Sequence, residues 1–306
     1  MHAKVDSTGI ATQREVVKEE KRQRVDNQPY GSFQAEIMKR AYTVHPYQWT
    51  PIGSMADLDA AEESDYVNFY KKFYVPNNAC LSIAGDLNIK ETKKMIAQYF
   101  SEIPKGDDIV RPSIVEPMKD AQVRDTIYDN IQLPGLFMAY RTPELNHPDH
   151  YAVEMMTNIL SGGKSSRIYK SVVEEKAQAI QAFIFPFDLE DPGIAMVLGI
   201  PNMGVDPQNL ETAMTAEITN LQKELVSERE LQKVKNKMES DFVNGNARVA
   251  GIAETLANNH MYLGDANLIN TEIDRYNKVT REDIQRVAKK YYQSDKRVVL
   301  YYIPKK

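Results

Sequence analysis

Apolar positions recur every three to four residues along most of the first third of the chain, a spacing that predicts amphipathic helices. Thr12-Gln13-Arg14-Glu15 matches a capping box, so the first helix is predicted to start near Gln13 and to run to about Asp26. Further helices are predicted over residues 31–41, 61–74 and 89–103, with a loop over 45–53 and a continuous apolar run over 79–86. That run has the length of a buried strand, so the first third combines helices with a strand.

The periodic pattern breaks between residues 105 and 124, where Pro, Gly and Asp are mixed without a period. This composition is typical of a linker, and it divides the chain into a first domain over 1–104 and a second domain over 125–306. The second domain is predicted to contain strands over 132–140, 179–187, 193–201 and 297–303, and helices over 147–163, 165–176, 206–225, 227–244 and 280–291.

The two predicted domains end with the same order of features. Lys71-Lys72-Phe73-Tyr74 and Lys289-Lys290-Tyr291-Tyr292 each close a helix and precede a polar turn and an apolar strand, at an offset of 218 residues. We interpret this as one domain that is present twice. The first strand of the second copy is predicted near Gln132, and subtracting 218 from 132 gives −86. The first copy is therefore expected to begin about 85 residues before Met1.

The expected fold class is α+β, with two homologous domains that are each a mostly antiparallel sheet covered by helices. The first of these domains is expected to be truncated at its N-terminus. The alternative is a short first domain that folds in a different way. A chain of 306 residues, of which 42% are hydrophobic, is long enough for two domains of ordinary size.

Composition excludes several classes of protein. The basic residues are scattered and the net charge is −5, which argues against nucleic acid as a partner. No apolar run reaches the ~18 residues of a membrane span, so no membrane association is expected. The single cysteine, Cys80, excludes an internal disulfide framework and a cysteine-rich metal site.

One carboxylate in the first predicted helix lies on its apolar side. At about 100° per residue, Val16 and Val17 define that side, and Glu20 falls between them. A half-buried carboxylate needs a cation, hydrogen-bond donors or a metal as its partner. Two interpretations stay open at this point: an ion pair with an arginine or lysine from elsewhere, and a metal ligand.

Several stretches of the chain carry a resemblance to a known family. They are QREVVKEEKRQRVDNQPYG (13–31), HPYQWTPIG (45–53), FYVPNNACLSIAGD (73–86), NHPDHYAVEMMTNILSGGKSSRIYKSVVEEK (146–176) and LEDPG (189–193). Together they resemble the insulinase/pitrilysin zinc peptidases, and in particular the bacterial branch related to mitochondrial processing peptidase. The resemblance covers essentially the whole chain, and it leaves the bacterial cytoplasm and the periplasm open as compartments.

The resemblance implies an inverted zinc motif, His-x-x-Glu-His, whose histidines bind zinc and whose glutamate is the general base. The family's third zinc ligand falls at Glu20, and Gln13 stands seven residues earlier, where an acidic residue often supports a ligand histidine. The chain has five histidines and none forms the motif, which would lie upstream of Met1. The resemblance thus implies a zinc site that needs upstream ligands, with no catalytic residue in this chain, so that this chain alone is expected to be inactive.

A second departure from the family concerns groups that hold the substrate. Active relatives often carry an arginine and, seven residues later, a tyrosine in the stretch that matches VVEEKAQAI (172–180). Here Val173 and Ile180 occupy those positions, and neither can stabilise a developing oxyanion. Because some bacterial relatives divide the two functions between subunits, the resemblance implies a homo- or heterodimer with another two-domain unit.

Three further positions are candidates with weaker support. The resemblance suggests that Tyr30 and His45 lie in loops beside the catalytic chamber, where they would contact substrate, although a packing role is at least as plausible for both. His147 and His150 are three residues apart, which permits a shared metal, but the spacing fits an ordinary helix start beside Pro148 better.

Two functions follow from these expectations. The first is a zinc metalloendopeptidase, or the C-terminal part of one, that hydrolyses peptides or unfolded segments inside a closed chamber. The second is a non-catalytic partner or scaffold subunit of a peptidase-like complex. A complete upstream zinc motif would distinguish the first function from the second.

Overall fold

The computed structural model describes residues 5–305, which form helices around one sheet. The α-helices are α1 (Ser7–Lys21), α2 (Phe33–Ala41), α3 (Met55–Ala60), α4 (Glu63–Phe73), α5 (Ile89–Phe100), α6 (His150–Ser161), α7 (Pro207–Lys223), α8 (Glu228–Gly245), α9 (Val249–Leu263), α10 (Glu272–Lys278) and α11 (Arg281–Tyr291). The strands are β1 (Val123–Asp129), β2 (Gly135–Arg141), β3 (Ala179–Phe187), β4 (Ile194–Pro201) and β5 (Val298–Pro304). Two π-helical segments, Arg22–Asp26 and Tyr169–Glu175, follow α1 and precede β3.

All strands that the structure describes lie between residues 123 and 304, and they form this one sheet. Its strand order is β1-β5-β2-β4-β3. The β1–β5 pair is parallel, and the β5–β2, β2–β4 and β4–β3 pairs are antiparallel. This mostly antiparallel sheet with helices on its faces confirms the predicted α+β class and the predicted strands over 179–187, 193–201 and 297–303.

Strand β2 is buried on both faces because helices cover both sides of the sheet. Successive side chains of a strand point to opposite faces. Leu136, Met138 and Tyr140 join the core that the sheet forms with α6, α7 and α11. Phe137 and Ala139 join a second core, in which α2 packs on the other face. Helix α2, from the first third of the chain, therefore covers one face of the sheet that residues 123–304 form.

Three hydrogen bonds fix the segment around α2 to the sheet. The Tyr30 hydroxyl donates to the Leu133 carbonyl (2.8 Å), and the Tyr42 hydroxyl donates to the Pro192 carbonyl (2.8 Å). The hydroxyls of Ser32 and Tyr302 lie 2.8 Å apart. A tyrosine stabilises such a contact when its ring is buried and its hydroxyl has a hydrogen-bond partner.

The first helix begins earlier than the capping box predicted. It starts at Ser7, and the Asp6 carboxylate accepts from the Gly9 N–H (2.8 Å) as the N-cap. Thr12 lies inside the helix, where its hydroxyl donates to the Thr8 carbonyl (3.0 Å). The predicted start near Gln13 was wrong because the Asp6 cap lets the helix continue upstream.

The predicted strand over 79–86 was also wrong. Residues 79–84 are unpaired, and Leu81 is 56% exposed. A strand needs a neighbour for its backbone hydrogen bonds, and within residues 5–305 no strand lies beside this segment. Conversely, β1 was missed, because it is an edge strand that buries little of its surface.

Helices α3, α4 and α5 contain no buried residue. Several of their large apolar side chains are in solvent, and Ile89 and Tyr99 are each 70% exposed. In the described part of residues 1–104, the buried hydrophobic side chains lie on α1, on α2 and at the end of α2. The division into two homologous domains therefore remains a prediction.

Glu116 fixes the predicted linker to the first third of the chain. Its carboxylate accepts from the backbone N–H groups of Thr43 (2.7 Å), Val44 (2.9 Å) and His45 (2.8 Å), and from the Thr43 hydroxyl (2.7 Å). Burial alone would raise the pKa of this carboxyl, but the four donors outweigh burial and lower the pKa to about 2. The carboxylate therefore stabilises the fold in its ionised form.

Glu116→Gln is expected to lower the free energy of unfolding by about 1–2 kcal/mol at pH 7, a figure reduced for solvent screening. Because the folded pKa lies below the unfolded one, the contribution is present above about pH 4.5 and is lost as pH falls toward 2. Urea unfolding of both proteins at pH 7 and pH 3 measures the difference. The control is Asp108→Asn, in an exposed pair on the same segment, and it should change little. Equal stability of Glu116→Gln and the wild type at pH 7 would contradict this role.

Candidate functional site

Glu20 lies in the last turn of α1, directly before the π-helical segment Arg22–Asp26. Its Oε1 atom is 2.7 Å from Nη1 of Arg24, one turn further on, and its side chain is 37% exposed. The ion pair that the sequence left open is therefore present, but its partner is local rather than from elsewhere. Val16 is 53% exposed, so the apolar side of α1 is not where the two valines predicted it.

A tight turn after the π-helical segment reverses the chain and brings α2 onto the sheet. Gly31 approaches the backbone so closely that a Cβ atom there would lie 2.0 Å from the Val25 carbonyl oxygen. Tyr30 adopts a left-handed backbone conformation with φ of 60°, which non-glycine residues adopt at a cost. This turn holds Glu20 and Arg24 opposite the ends of β3 and β4.

Gly31→Ala is expected to lower the free energy of unfolding by about 2–3 kcal/mol, because the added methyl group collides with backbone rather than with a flexible side chain. The midpoint of urea unfolding measures the loss. Gly245→Ala at the end of α8 is the matched control, since a Cβ atom there has no neighbour within 4 Å. Two equal midpoints would show that the turn can relax without cost.

A cavity of about 730 Å³ lies between this turn and the sheet. Its walls come from three parts of the chain: the segment from Glu20 to Gln34, the loop over 50–52, and the sheet side chains Phe137, Gln181, Leu198 and Ile200. Glu20 and Arg24 are the charged side chains of this lining. A cavity of this volume, mostly apolar with a few polar groups, is typical of a ligand-binding site.

The predicted supporting residue Gln13 is exposed on α1, two turns before Glu20. In the described part of the chain, Gln13 makes no hydrogen bond to Glu20 and does not line the cavity. Its role beside a zinc ligand stays a prediction.

Tyr30 lines the cavity with its ring but uses its hydroxyl elsewhere. The hydroxyl donates to the Leu133 carbonyl, and the ring packs against Phe137 (centroids 5.7 Å apart) and Tyr302 (6.1 Å). Burial raises the pKa of Tyr30, and the negative charge of Asp129 raises it further, so the phenol is neutral. Contact between this ring and a substrate stays a prediction, and the packing role is evident.

His45 is buried and does not line the cavity. Its Nδ1 atom accepts from the Tyr47 N–H (3.2 Å), so the proton of the neutral ring is on Nε2, which lies 3.3 Å from Asp191 Oδ2. The ring packs edge-on against Tyr47 with centroids 4.2 Å apart. These contacts join the loop after α2 to the β3–β4 connection, and the proposed substrate contact stays a prediction.

The two positions where active relatives often carry an arginine and a tyrosine lie in different surroundings in this chain. Val173 is partly buried against the main core. Ile180 is 57% exposed at the start of β3, next to Gln181, whose side chain lines the cavity. Gln181 is the polar group that sequence reasoning missed, and the alternation along β3 was the only signal that could have indicated its direction.

The residues that the structure describes do not by themselves form a zinc site. Within residues 5–305 there is no group of three or more His, Cys, Asp or Glu side chains that could hold a metal ion. Glu20 has the chemistry of a single ligand, because its carboxylate is accessible and faces a cavity, but zinc needs three protein ligands. In the same range, no helix combines the length and the apolar character that crossing a membrane requires.

Comparison with known proteins identifies the class to which this fold and cavity belong. Residues 64–238 match the family described as Peptidase M16 inactive domain, so the chain belongs to the M16 peptidase family. The insulinase/pitrilysin resemblance stated from the sequence is thereby confirmed.

Individual relatives extend this match over nearly the whole chain. The zinc protease PqqE of Helicobacter pylori is 27% identical over 295 residues, which cover 95% of this chain and 66% of the relative. A Bacillus subtilis protein named as an uncharacterized zinc protease, YmxG, is 20% identical over 96% of this chain and 70% of the relative. The chain therefore spans about two thirds of the length of these curated relatives.

A solved structure shows the same fold. The crystal structure of a protease from Helicobacter pylori superposes with a TM-score of 0.92 at 25% identity, and the match covers 98% of this chain and 73% of that chain. The arrangement of α2 on the sheet is thus part of a fold that a known protease shares.

Proposed function

We propose that this chain is part of a zinc metalloendopeptidase that hydrolyses peptides or unfolded segments. The single observation that carries the proposal is the position of Glu20, an accessible carboxylate at a cavity of about 730 Å³ in an M16 fold. Relatives named zinc proteases support zinc as the metal. An extended peptide suits a cavity walled by sheet side chains and apolar loops.

The remaining zinc ligands are proposed to come from a segment outside the printed sequence. Three features support a missing part of the first domain: the offset of 218 between the two copies, the unpaired segment 79–84, and the exposed apolar side chains of α4 and α5. In the second copy, the corresponding strand β5 has neighbours on both edges, β1 and β2. The strands of the first copy that correspond to β1 and β2 would pair with residues 79–84.

A second two-domain unit is proposed as the partner that closes the chamber. Val173 and Ile180 carry no group that could hold a substrate carbonyl, so another subunit would supply an arginine and a tyrosine. In this arrangement the present chain contributes Glu20 and one wall of the chamber.

The first test reads the roughly 300 nucleotides upstream of the Met1 codon, enough for the missing part of a domain of this size. The proposal expects an in-frame His-x-x-Glu-His. The full-length protein should then contain one zinc ion per chain and cleave an unfolded peptide, and a chelator should abolish this cleavage until zinc is added back. An upstream sequence without the motif overturns the peptidase assignment.

A non-catalytic partner subunit is the second candidate. Val173 and Ile180 do not favour it by themselves, and the Glu20 carboxylate at the cavity argues against it. A complete upstream zinc motif supports the peptidase, and its absence supports the partner subunit. Assay of the full-length protein alone and with its partner then tests whether the two functions are divided. Cleavage that needs a partner carrying the arginine and tyrosine supports divided functions, whereas strong cleavage by the protein alone refutes them.

A further inference from the structure

A second cavity, of about 390 Å³, opens on the far side of the sheet from α2, between the start of α6, the end of α10 and the start of α11. One wall is apolar and includes Leu145, Pro148 and Val279. The basic side chains Arg275 and Lys278 also line the cavity. It shares no lining residue with the cavity at Glu20, so an inference drawn from it is independent of the proposed peptidase function.

The charges at the back of this cavity are already compensated. Arg286 binds Asp149 through Nη1 (2.6 Å) and Asp283 through Nη2 (3.0 Å). Lys290 (2.8 Å) and the Tyr291 hydroxyl (2.8 Å) also donate to Asp149. Burial would raise the pKa of Asp149, but these cationic donors outweigh burial and hold the pKa well below its usual range. The acids of the site are therefore ionised and paired.

Arg275 and Lys278 are different, since neither makes a salt bridge within residues 5–305. Arg275 donates one hydrogen bond to the Tyr151 hydroxyl (3.2 Å), and its guanidinium lies 5.6 Å from the centre of that ring. Asp274 directly precedes Arg275 on α10, yet within residues 5–305 no salt bridge joins it to Arg275 or to Lys278. Burial and then the charge of Glu154 raise the pKa of Glu272, the other acid of this helix. The lining of the cavity thus has three cationic side chains, Arg275, Lys278 and Arg286, and one acidic side chain, Asp283.

Backbone and histidine donors add to these cationic side chains. Tyr151 and Ala152 line the cavity from the first turn of α6, a 12-residue helix, where backbone N–H groups have no partner inside the helix. His147 also lines the cavity, and its Nδ1 atom accepts from the Asp149 N–H (2.9 Å), which leaves Nε2–H as the donor of the neutral ring. Guanidinium, ammonium, imidazole and helix N–H donors together form an environment for a negatively charged group.

We propose that this cavity binds a phosphate monoester that carries a short apolar group. The phosphate would lie against Arg275, Lys278 and the start of α6, where several donors can serve its oxygens. The apolar group would lie against Leu145, Pro148 and Val279, which a free phosphate leaves uncovered. A volume of about 390 Å³ suffices for a ligand of this size.

The experiment is calorimetric titration of the whole chain, in a phosphate-free buffer of low ionic strength, with phenyl phosphate, inorganic phosphate and phenol in separate runs. Phenyl phosphate should bind tightest, inorganic phosphate at least about tenfold more weakly, and phenol not at all. Equal affinity for phenyl phosphate and inorganic phosphate overturns the assignment to an ester. Absence of binding by either overturns the site.

Variants locate the binding. Lys278→Gln removes an exposed ammonium and should weaken phenyl phosphate binding about tenfold, and the further change Arg275→Gln should abolish it. The matched control is Lys164→Gln, an exposed lysine outside this cavity, and it should bind as the wild type does. Lys278→Gln alone preserves the Arg275–Tyr151 contact, so its result stands even where the double variant folds poorly. Unchanged affinity in Lys278→Gln places the ligand elsewhere and overturns the proposal.

Discussion

Replacing Glu20 by glutamine in the full-length protein is expected to reduce zinc-dependent peptide hydrolysis by about a hundredfold or more. A neutral amide is a poor zinc ligand compared with a carboxylate, and loss of one of three protein ligands leaves the metal weakly held. Folding should change little, because the Glu20–Arg24 pair is exposed and i,i+4 pairs contribute only about 0.3–0.5 kcal/mol. Activity and bound zinc should therefore fall while the unfolding midpoint stays within error.

The matched control for this change is Glu19→Gln on the same helix. Glu19 is 52% exposed, pairs with Arg22 (3.1 Å) and accepts from Gln23 (3.0 Å), and it does not line the cavity. The control should keep both zinc content and hydrolysis. Equal activity of Glu20→Gln and Glu19→Gln would remove Glu20 from the metal site and leave it with the ion pair to Arg24.

Local patterns were sufficient for the elements whose signals lie within one stretch of sequence. The β4 strand and the α11–β5 pair were predicted from apolar runs over 193–201 and 297–303 and from the helical pattern over 280–291, and the structure confirms them. The β1 strand could not be predicted in this way. It pairs Val123 with Val298, so its existence depends on a contact between distant parts of the chain.

Local sequence patterns also predict the candidate site at Glu20 only in part. Helical geometry singled out Glu20, yet the cavity around it forms because the loop over 50–52 and the side chains of β3 and β4 converge there. The π-helical segment that places Arg24 beside Glu20 has no sequence signature of its own. Tyr30 and His45 were expected in loops beside the catalytic chamber, and only the structure shows that the Tyr30 hydroxyl is already paired and that His45 does not line the cavity.

The cavity at Glu20 lies at a junction that several independent contacts hold. Tyr42 and the Glu116 carboxylate anchor the segment after α2, and His45 approaches Asp191 in the β3–β4 connection. The side chains that line the cavity thus come from elements that would separate if the junction opened. Substitutions that loosen the junction should therefore alter ligand binding at the cavity without touching its lining.

Glu211→Ala is expected to lower the free energy of unfolding by about 3–5 kcal/mol, the largest stability effect predicted for this chain. Glu211 is 7% exposed and receives Arg124 in a bidentate pair, with both N···O distances 2.7 Å. Arg297 and the Tyr301 hydroxyl also donate to it. The network joins α7 to β1 and β5, so its centre holds a helix on the sheet.

The cost of Glu211→Ala comes mainly from the arginine that remains. Arg297 is 5% exposed, and without Glu211 its guanidinium keeps only the neutral partners Tyr140 (2.9 Å), Thr215 (2.8 Å) and the Met138 sulfur. A buried charge without a counter-charge is far more costly than a lost surface pair. Burial would raise the pKa of Glu211, but the hydrogen bonds from Arg124 and Tyr301 and the charge of Arg297 outweigh it and lower the pKa.

Urea unfolding at pH 7 measures this loss, with Glu239→Ala on the exposed face of α8 as the matched control, expected within about 0.5 kcal/mol of the wild type. Since the folded pKa of Glu211 is lowered, its contribution is present above its unfolded pKa of about 4.3 and declines as pH falls below that value. The difference between wild type and Glu211→Ala should therefore shrink on acidification. A difference at pH 7 no larger than that of Glu239→Ala would mean that water reaches Arg297 when Glu211 is absent, and that this buried network does not hold α7 on the sheet.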